Sequence, residues 1–207
     1  MRSSPVGAMA ASVLLRYPDS AALAALPAVR TALTELPREL AVPLGAVVAH
    51  RETGDPTELA AEYVQLFDLR RRCCLHLTYY TAGDTRNRGQ ALVGFGETFR
   101  AAGFAVTDGE LPDFLPAVLE LAAQAGEPGW ALLRQHRVGL TLLEQALAAK
   151  ESVYRHAVNV VLGMLPPAGP SELAAAATLA RSGPPREQVG LEPFVLDPAG
   201  PRVGGRR

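Results

Sequence analysis

Apolar residues recur at helical spacing along nearly all of residues 1–166, and no stretch alternates as a half-buried strand must. Leu59, Tyr63 and Leu66/Phe67 stand at i, i+4 and i+7/8, with Asp55 and Pro56 placed as N-cap and first helical residue. Leu92, Phe95, Phe99 and Ala102 mark another helix, opened by Asp84 and closed by Gly103. Leu115, Val118, Leu119 and Ala122 form a third stripe, stopped by Gly126. A longer helix is expected from about Pro128 to Ala149, and another from Tyr154 to Leu165, ended by Pro166-Pro167. Ser171 to Ala180 is Ala-rich and suits a short helix. The one Asp-Gly candidate for a hairpin, Asp108-Gly109, follows only Phe104-Ala105-Val106, which reads as an extended link. The expectation is an all-α fold, a single multi-helix bundle of about eight to ten helices.

Seventeen Pro and 19 Gly in 207 residues would be many for a helical protein if they were spread evenly. They are not. Pro18, Pro27 and Pro37 fall between helical pieces, where a missing N–H costs little. Eight Pro and six Gly crowd into residues 166–207. The chain therefore divides into a helical domain, 1–166, and a segment 167–207 comprising the Ala-rich short helix and a flexible Pro/Gly-rich tail.

No apolar run approaches the ~20 residues that span a bilayer. Arg2 followed by the apolar Val6–Leu15 could be a secretory apolar region, but Met9, Val13 and Tyr17 also fit a first core helix. Cys73 and Cys74 are adjacent and rarely bridge, which favours a reducing, cytoplasmic setting. The formal charge of −1 lacks the basic excess of a protein that wraps nucleic acid.

That balance hides two opposed stretches. Residues 62–100 hold six of the chain's twelve Phe, Tyr and Trp residues together with Arg70, Arg71, Arg72, Arg86, Arg88 and Arg100. Residues 108–127 hold five acids and no Arg or Lys. Interleaved aromatics and Arg can bind single-stranded nucleic acid, or can fill a core while the Arg side chains pair with acids. Arg86 and Arg88 near a helix start oppose its dipole, so acidic partners are expected, with Asp68, Glu110 and Asp113 as candidates. Gly83 can supply a positive φ ahead of that helix. Cys73, Cys74 and His76 could suggest a thiolate or a metal, yet no partner spacing completes either site.

The run Glu62-Tyr63-Val64-x-x-Phe67-Asp68-Leu69-x-Arg71-Arg72-Cys73-x-Leu75-x-Leu77-Thr78-Tyr79-Tyr80-x-x-Gly83-Asp84-Thr85-Arg86-x-Arg88-Gly89 resembles the signature of the NarJ family, the respiratory nitrate reductase delta-subunit type of molybdenum cofactor assembly chaperone. Leu14-Leu15-x-Tyr17-Pro18 also fits. So do Glu110-Leu111-Pro112-Asp113 with Leu115-Pro116, Leu133-x-x-His136-Arg137-x-Gly139-Leu140 and the helix from Tyr154 to Pro166. The similarity covers roughly residues 10–166. One departure is Phe114, where the wider class has His after the Asp.

The resemblance implies a TorD-like redox-enzyme maturation fold and a cytoplasmic chaperone that is not an enzyme. It implies binding of the apo alpha subunit of nitrate reductase, mainly through that subunit's N-terminal peptide. It implies a role in inserting bis-molybdopterin guanine dinucleotide, with no cofactor held permanently. Molybdenum cofactor delivery proteins are further partners in that picture, whereas nucleic acid and membrane integration have no place in it. A helical peptide would lie on an exposed wall of Tyr63, Phe67, Leu75, Tyr79 and Tyr80, with Asp68, Glu110 and Asp113 facing its basic residues. Arg71, Arg72, Gly83, Asp84, Arg86, Arg88 and Pro112 carry the family motif in structural or binding roles. Three alternatives stay open at this point: a chaperone of a related molybdoenzyme, a small Cys-dependent enzyme, and a regulator that binds nucleic acid through Arg70–Arg72.

Overall fold

The computed structural model describes residues 4–83, 86–106 and 109–183. Among these lie twelve α-helices: α1 (Pro5–Leu15), α2 (Ser20–Ala24), α3 (Leu26–Leu33), α4 (Arg38–Thr53), α5 (Pro56–Tyr63), α6 (Leu77–Ala82), α7 (Arg86–Ala101), α8 (Leu115–Ala125), α9 (Glu127–Gln135), α10 (Arg137–Ala148), α11 (Arg155–Met164) and α12 (Pro170–Ser182). A π-helical turn, Val64–Asp68, prolongs α5, and a 3-10 turn follows at Arg71–Cys73. The described residues form no strand; an isolated antiparallel bridge joins His76 to Phe114.

Most prolines stand where their chemistry allows. Pro5, Pro56 and Pro170 open α1, α5 and α12, while Pro27, Pro116 and Pro128 take the second helical position of α3, α8 and α9. Pro43, inside α4, is the exception. Ser4, Asp19 and Asp55 cap α1, α2 and α5 through their side-chain oxygens.

α1 is the centre of the bundle. It packs most extensively on α8 and also touches α3, α4 and α11. Gly7, Ala8, Ala10, Ala11, Leu14 and Leu15 are all buried, so Val6–Leu15 does lie in a core helix. Its buried face is not the expected stripe: Met9 and Val13 are half-buried, and Tyr17 lies beyond the helix end, exposed. Its small residues permit close approach on several sides at once. Ser12, also buried, donates to the Pro116 carbonyl at 2.8 Å. The C-terminal end of α1 is closed by side chains from elsewhere. The Tyr63 hydroxyl donates to the Leu15 carbonyl, and the buried Arg51 guanidinium donates to the carbonyls of Val13 and Arg16. Arg51 also lies over the Tyr154 ring, 5.4 Å from its centroid.

The long helix expected from Pro128 to Ala149 is in fact two. The chain leaves helical geometry at His136 (φ −101, ψ 17), between α9 and α10. His136 packs on Phe95 at 4.9 Å and bonds the backbone at Leu77. Its burial holds the imidazole below its ordinary pKa, hence neutral near pH 7. The break lets two glycines meet different neighbours: Gly129 sits on α8 backbone, and Gly139 sits against the Tyr80 ring. This division, with the separate short α2 and α3, raises the helix count above the expected eight to ten.

α10 ends in a turn that usually calls for glycine. Glu151 N–H reaches the Ala148 carbonyl and Ser152 N–H the Leu147 carbonyl, with Glu151 at φ 53. A side chain with a Cβ is strained there by about 1 kcal/mol. Glu151→Gly is therefore expected to raise the melting temperature by about 2–4 °C in a thermal denaturation scan. An unchanged or lower value would mean that the Glu151 side chain makes compensating contacts.

α12 packs on α10 and brings Leu179 against the core. The Pro- and Gly-rich tail expected after Ser182 lies outside the described residues except for Gly183.

Candidate functional site

Two short segments that bear the motif are stitched together. Leu77 N–H donates to the Asp113 carbonyl at 2.9 Å, and Leu115 N–H donates to the Leu75 carbonyl at 2.8 Å. This pairing puts the Asp113 side chain inside the protein, at 0% exposure. Thr78 donates to one carboxylate oxygen through both its N–H and its hydroxyl, and His76 Nδ1 lies 3.0 Å from the other. Arg88, from the first turn of α7, bonds the Thr78 hydroxyl and comes within 3.9 Å of the carboxylate. Burial by itself would raise the Asp113 pKa; the hydrogen bonds from His76 and Thr78 outweigh it and hold the carboxyl below the usual carboxylate range. Arg88 thus finds one of its three candidate acids. Pro112 is half-buried beside this knot.

The knot fixes one wall of an open cleft of about 560 Å³. Phe114, His76 and Glu110 line that wall; Tyr63 and Asp68 come from α5 and its π-helical extension. Arg16, Tyr17 and Asp19 close it from the α1–α2 link. Tyr17 is 45% exposed and stacks edge-on against Tyr63, with ring centroids 5.4 Å apart. Tyr63 in turn leans on Phe67 at 4.7 Å, so a row of aromatic rings runs from the rim inward. His76 and Phe114 stack 5.5 Å apart.

The sequence-expected wall is corrected by these positions. Tyr63, Phe67, Leu75, Tyr79 and Tyr80 are all buried, so they do not form an exposed apolar surface. Their polar tips explain how: Tyr63 bonds the Leu15 carbonyl, and the Tyr80 hydroxyl lies 3.1 and 2.9 Å from the carbonyls of Arg72 and Cys74. Only Tyr63 of the five reaches the cleft. The acids separate as well. Asp68 and Glu110 are exposed on the cleft, while Asp113 is buried in the knot rather than facing outward. Glu120 pairs with Arg16 at 2.8 Å, Glu127 pairs with Arg134, and Asp108 lies outside the described residues.

Tyr17, Phe114 and His76 are ring-bearing cleft residues absent from the expected site, as are the charged Arg16 and Asp19. The signal for Tyr17 was present: Tyr17-Pro18 must interrupt the helix, and an aromatic in a link has no stripe to bury it. Gly83 does take a positive φ, 60°, and its N–H closes α6 on Tyr79. Asp84, the expected cap of α7, lies outside the described residues. Arg71 and Arg72 line a second cleft, with Arg70.

Cys73 does not present an activated thiolate. Burial pushes the Cys73 thiol up despite the nearby Arg70 and Lys150 charges. Among the described residues no group of three or more His, Cys, Asp or Glu side chains could hold a metal ion. Nor is any described helix long and apolar enough to cross a membrane.

Residues 24–159 match the family model described as nitrate reductase delta subunit. This chain belongs to the nitrate reductase delta subunit family. NarJ of Bacillus subtilis, named as a nitrate reductase molybdenum cofactor assembly chaperone, is 31% identical over 75% of this chain and 86% of its own length. The Escherichia coli K12 NarJ chaperone is 34% identical over 73% of this chain and 66% of its own. The nitrate reductase-like protein NarX of Mycobacterium tuberculosis is 43% identical over 73% of this chain, and the match spans only 23% of NarX. The fold is that of a solved redox enzyme maturation protein from Archaeoglobus fulgidus, at a TM-score of 0.57 and 20% identity, covering 79% of this chain and 94% of that one. The delta subunit family resemblance carried by the 62–89 motif therefore stands, and the NarJ relatives are named as assembly chaperones rather than catalysts.

Proposed function

We propose that this chain is an assembly chaperone for a respiratory nitrate reductase. It binds the apo alpha subunit, mainly through the N-terminal peptide, and keeps it competent for insertion of bis-molybdopterin guanine dinucleotide. It acts in the cytoplasm, holds no cofactor permanently and works alongside molybdenum cofactor delivery proteins. The observation that carries this reading is the match to a NarJ chaperone over most of that protein's length.

The cleft beside Tyr17 suits the peptide. An apolar groove of about 340 Å³ between α1 and α3, lined by Val6, Met9, Val13, Ala25, Val29 and Ala32 among others, continues it: Val13 and Ala25 border both. An amphipathic helix could lay its apolar face along this groove and place a basic residue against Asp68 and Glu110. Apolar burial at Tyr17 and Phe114 would carry affinity, and the acids would set approach rate and orientation.

Calorimetric titration with the alpha-subunit N-terminal peptide tests this reading. The double variant Tyr17→Ala, Phe114→Ala is expected to weaken binding about tenfold or more. Asp68→Asn with Glu110→Gln is expected to slow association and to flatten its salt dependence. Unchanged affinity in the aromatic double variant would put the peptide elsewhere. Failure to co-purify with any nitrate reductase alpha subunit would remove the assignment itself.

A further inference from the structure

A second cleft, of about 540 Å³, lies between the Arg71–Cys73 turn, α10 and α12, away from the Tyr17 cleft. Arg70, Arg71, Arg72 and Lys150, the only Lys in the chain, converge on it, and no Asp or Glu is among its described lining. Arg70, Arg72 and Lys150 make no ion pair among the described residues. The nearest acids in the lining of neighbouring space, Glu62 and Glu151, belong to an adjoining recess that Arg70 and Lys150 also border. Glu62 there is already engaged by His50 at 2.7 Å.

The remaining walls are apolar: Leu142, Ala146 and Ala149 from the α10 side, Leu179 and Ala180 from α12. The basic turn is held in place. The Tyr80 hydroxyl is within bonding distance of the Arg72 and Cys74 carbonyls, Cys73 N–H donates to the Arg70 carbonyl at 2.8 Å, and Cys73 itself is buried. Tyr80 is clamped against Gly139 of α10, where even a Cβ would come within 3.0 Å of the ring. Tyr80 therefore ties the turn that carries the Arg residues to the helix that leads to Lys150.

The ends of α10 and α12 lie at this cleft and account for some of the positive charge. Each helix end offers only about half an elementary negative charge, too little for this many cations. Lys150 follows α10 directly, but Arg70 and Arg72 belong to a different segment. Several cations facing an apolar wall, in a volume typical of small-ligand pockets, fit a multiply charged anion that carries a ring or other apolar body.

We propose that this cleft binds an organic diphosphate. The phosphates meet Arg70, Arg72 and Lys150, and the apolar body lies against Leu142, Ala146 and Leu179. Arginine forks match phosphate oxygens, and lysine adds a point charge.

The test needs no client protein, so its outcome is separate from that of the chaperone assignment. The full chain is titrated calorimetrically with ADP and with inorganic pyrophosphate at low salt, and sedimented with phosphatidylglycerol vesicles. ADP is expected to bind, at least tenfold tighter than pyrophosphate, which leaves the apolar wall unused. The triple variant Arg70→Ala, Arg72→Ala, Lys150→Ala is expected to weaken ADP at least tenfold without lowering the melting temperature, because all three side chains are exposed. Ala146→Phe, filling the apolar wall, is expected to weaken ADP while leaving pyrophosphate unchanged. If Ala146→Phe does not fold, the triple variant still decides. No ADP binding, equal binding of ADP and pyrophosphate, or undiminished binding in the triple variant overturns the proposal. Vesicle binding without ADP binding overturns it too.

Discussion

Asp113→Ala is expected to cost about 4 kcal/mol of folding stability, the scale for breaking a buried charged network. Thr78 would lose its partner for both N–H and hydroxyl, and His76 and Arg88 would face a cavity. For a chain of this size that is a fall of about 8–16 °C in melting temperature. Acidity should act on the same group. The folded carboxyl ionises at lower pH than the unfolded one, so its contribution is complete above the unfolded pKa of about 4. Below that the unfolded state takes up the proton first, and the contribution fades as pH falls through the folded value. Urea denaturation between pH 7 and pH 3 should show this decline in the wild type and a shallower one in Asp113→Ala. Parallel profiles would mean that Asp113 does not carry the acid sensitivity. Because Asp113 holds the segment bearing Glu110 and Phe114, the variant should also bind peptide more weakly at temperatures where it remains folded.

Gly129→Ala is expected to be worse, costing more than about 4 kcal/mol. A Cβ at Gly129 would lie 2.2 Å from the Ala122 nitrogen and 2.4 Å from its Cα. These are backbone atoms of α8 and cannot rotate away, so α9 must shift bodily. A cooperative melt within 1 kcal/mol of wild type would show that the α8–α9 crossing is looser than its geometry. Gly94→Ala on α7 is the matched control: the same added methyl meets nothing within 4 Å. It should stabilise by about 0.5–1 kcal/mol, through helix propensity and a less free unfolded chain.

The contrast between these two glycines marks how far a sequence can be read. Both sit in helical stretches, Gly129 directly after Pro128 in the first turn of α9 and Gly94 in the middle of α7, and neither set of sequence neighbours tells what packs against the glycine. The helix starts were legible because caps and prolines act on the nearest turn: Asp55-Pro56 opens α5 as expected. The break at His136 was not, because Leu133, Leu140, Leu143 and Leu147 keep helical phase across it. The His136 side chain at the break meets Phe95 and Leu77, both far away in the chain.

The candidate site divides in the same way. Arg88 was expected to find a distant acid, since its position opposes its own helix dipole, and Asp113 was among three candidates. Nothing in the sequence could choose among them, because the choice depends on the pairing of residues 75–77 with 113–115. The aromatic-rich motif was legible as important but was placed on the wrong side of the surface. Tyr79 and Tyr80 pack inward, while the exposed ring is Tyr17, outside that motif.

By itself the sequence determined the helical class, most helix starts and the delta subunit family, because periodicity, caps and an extended motif are properties of neighbouring residues. Only the tertiary structure decided which aromatics face solvent, which acid is buried and which cations share a cleft. Those depend on contacts between residues far apart in the chain, where burial and pairing are set by what the opposite segment supplies.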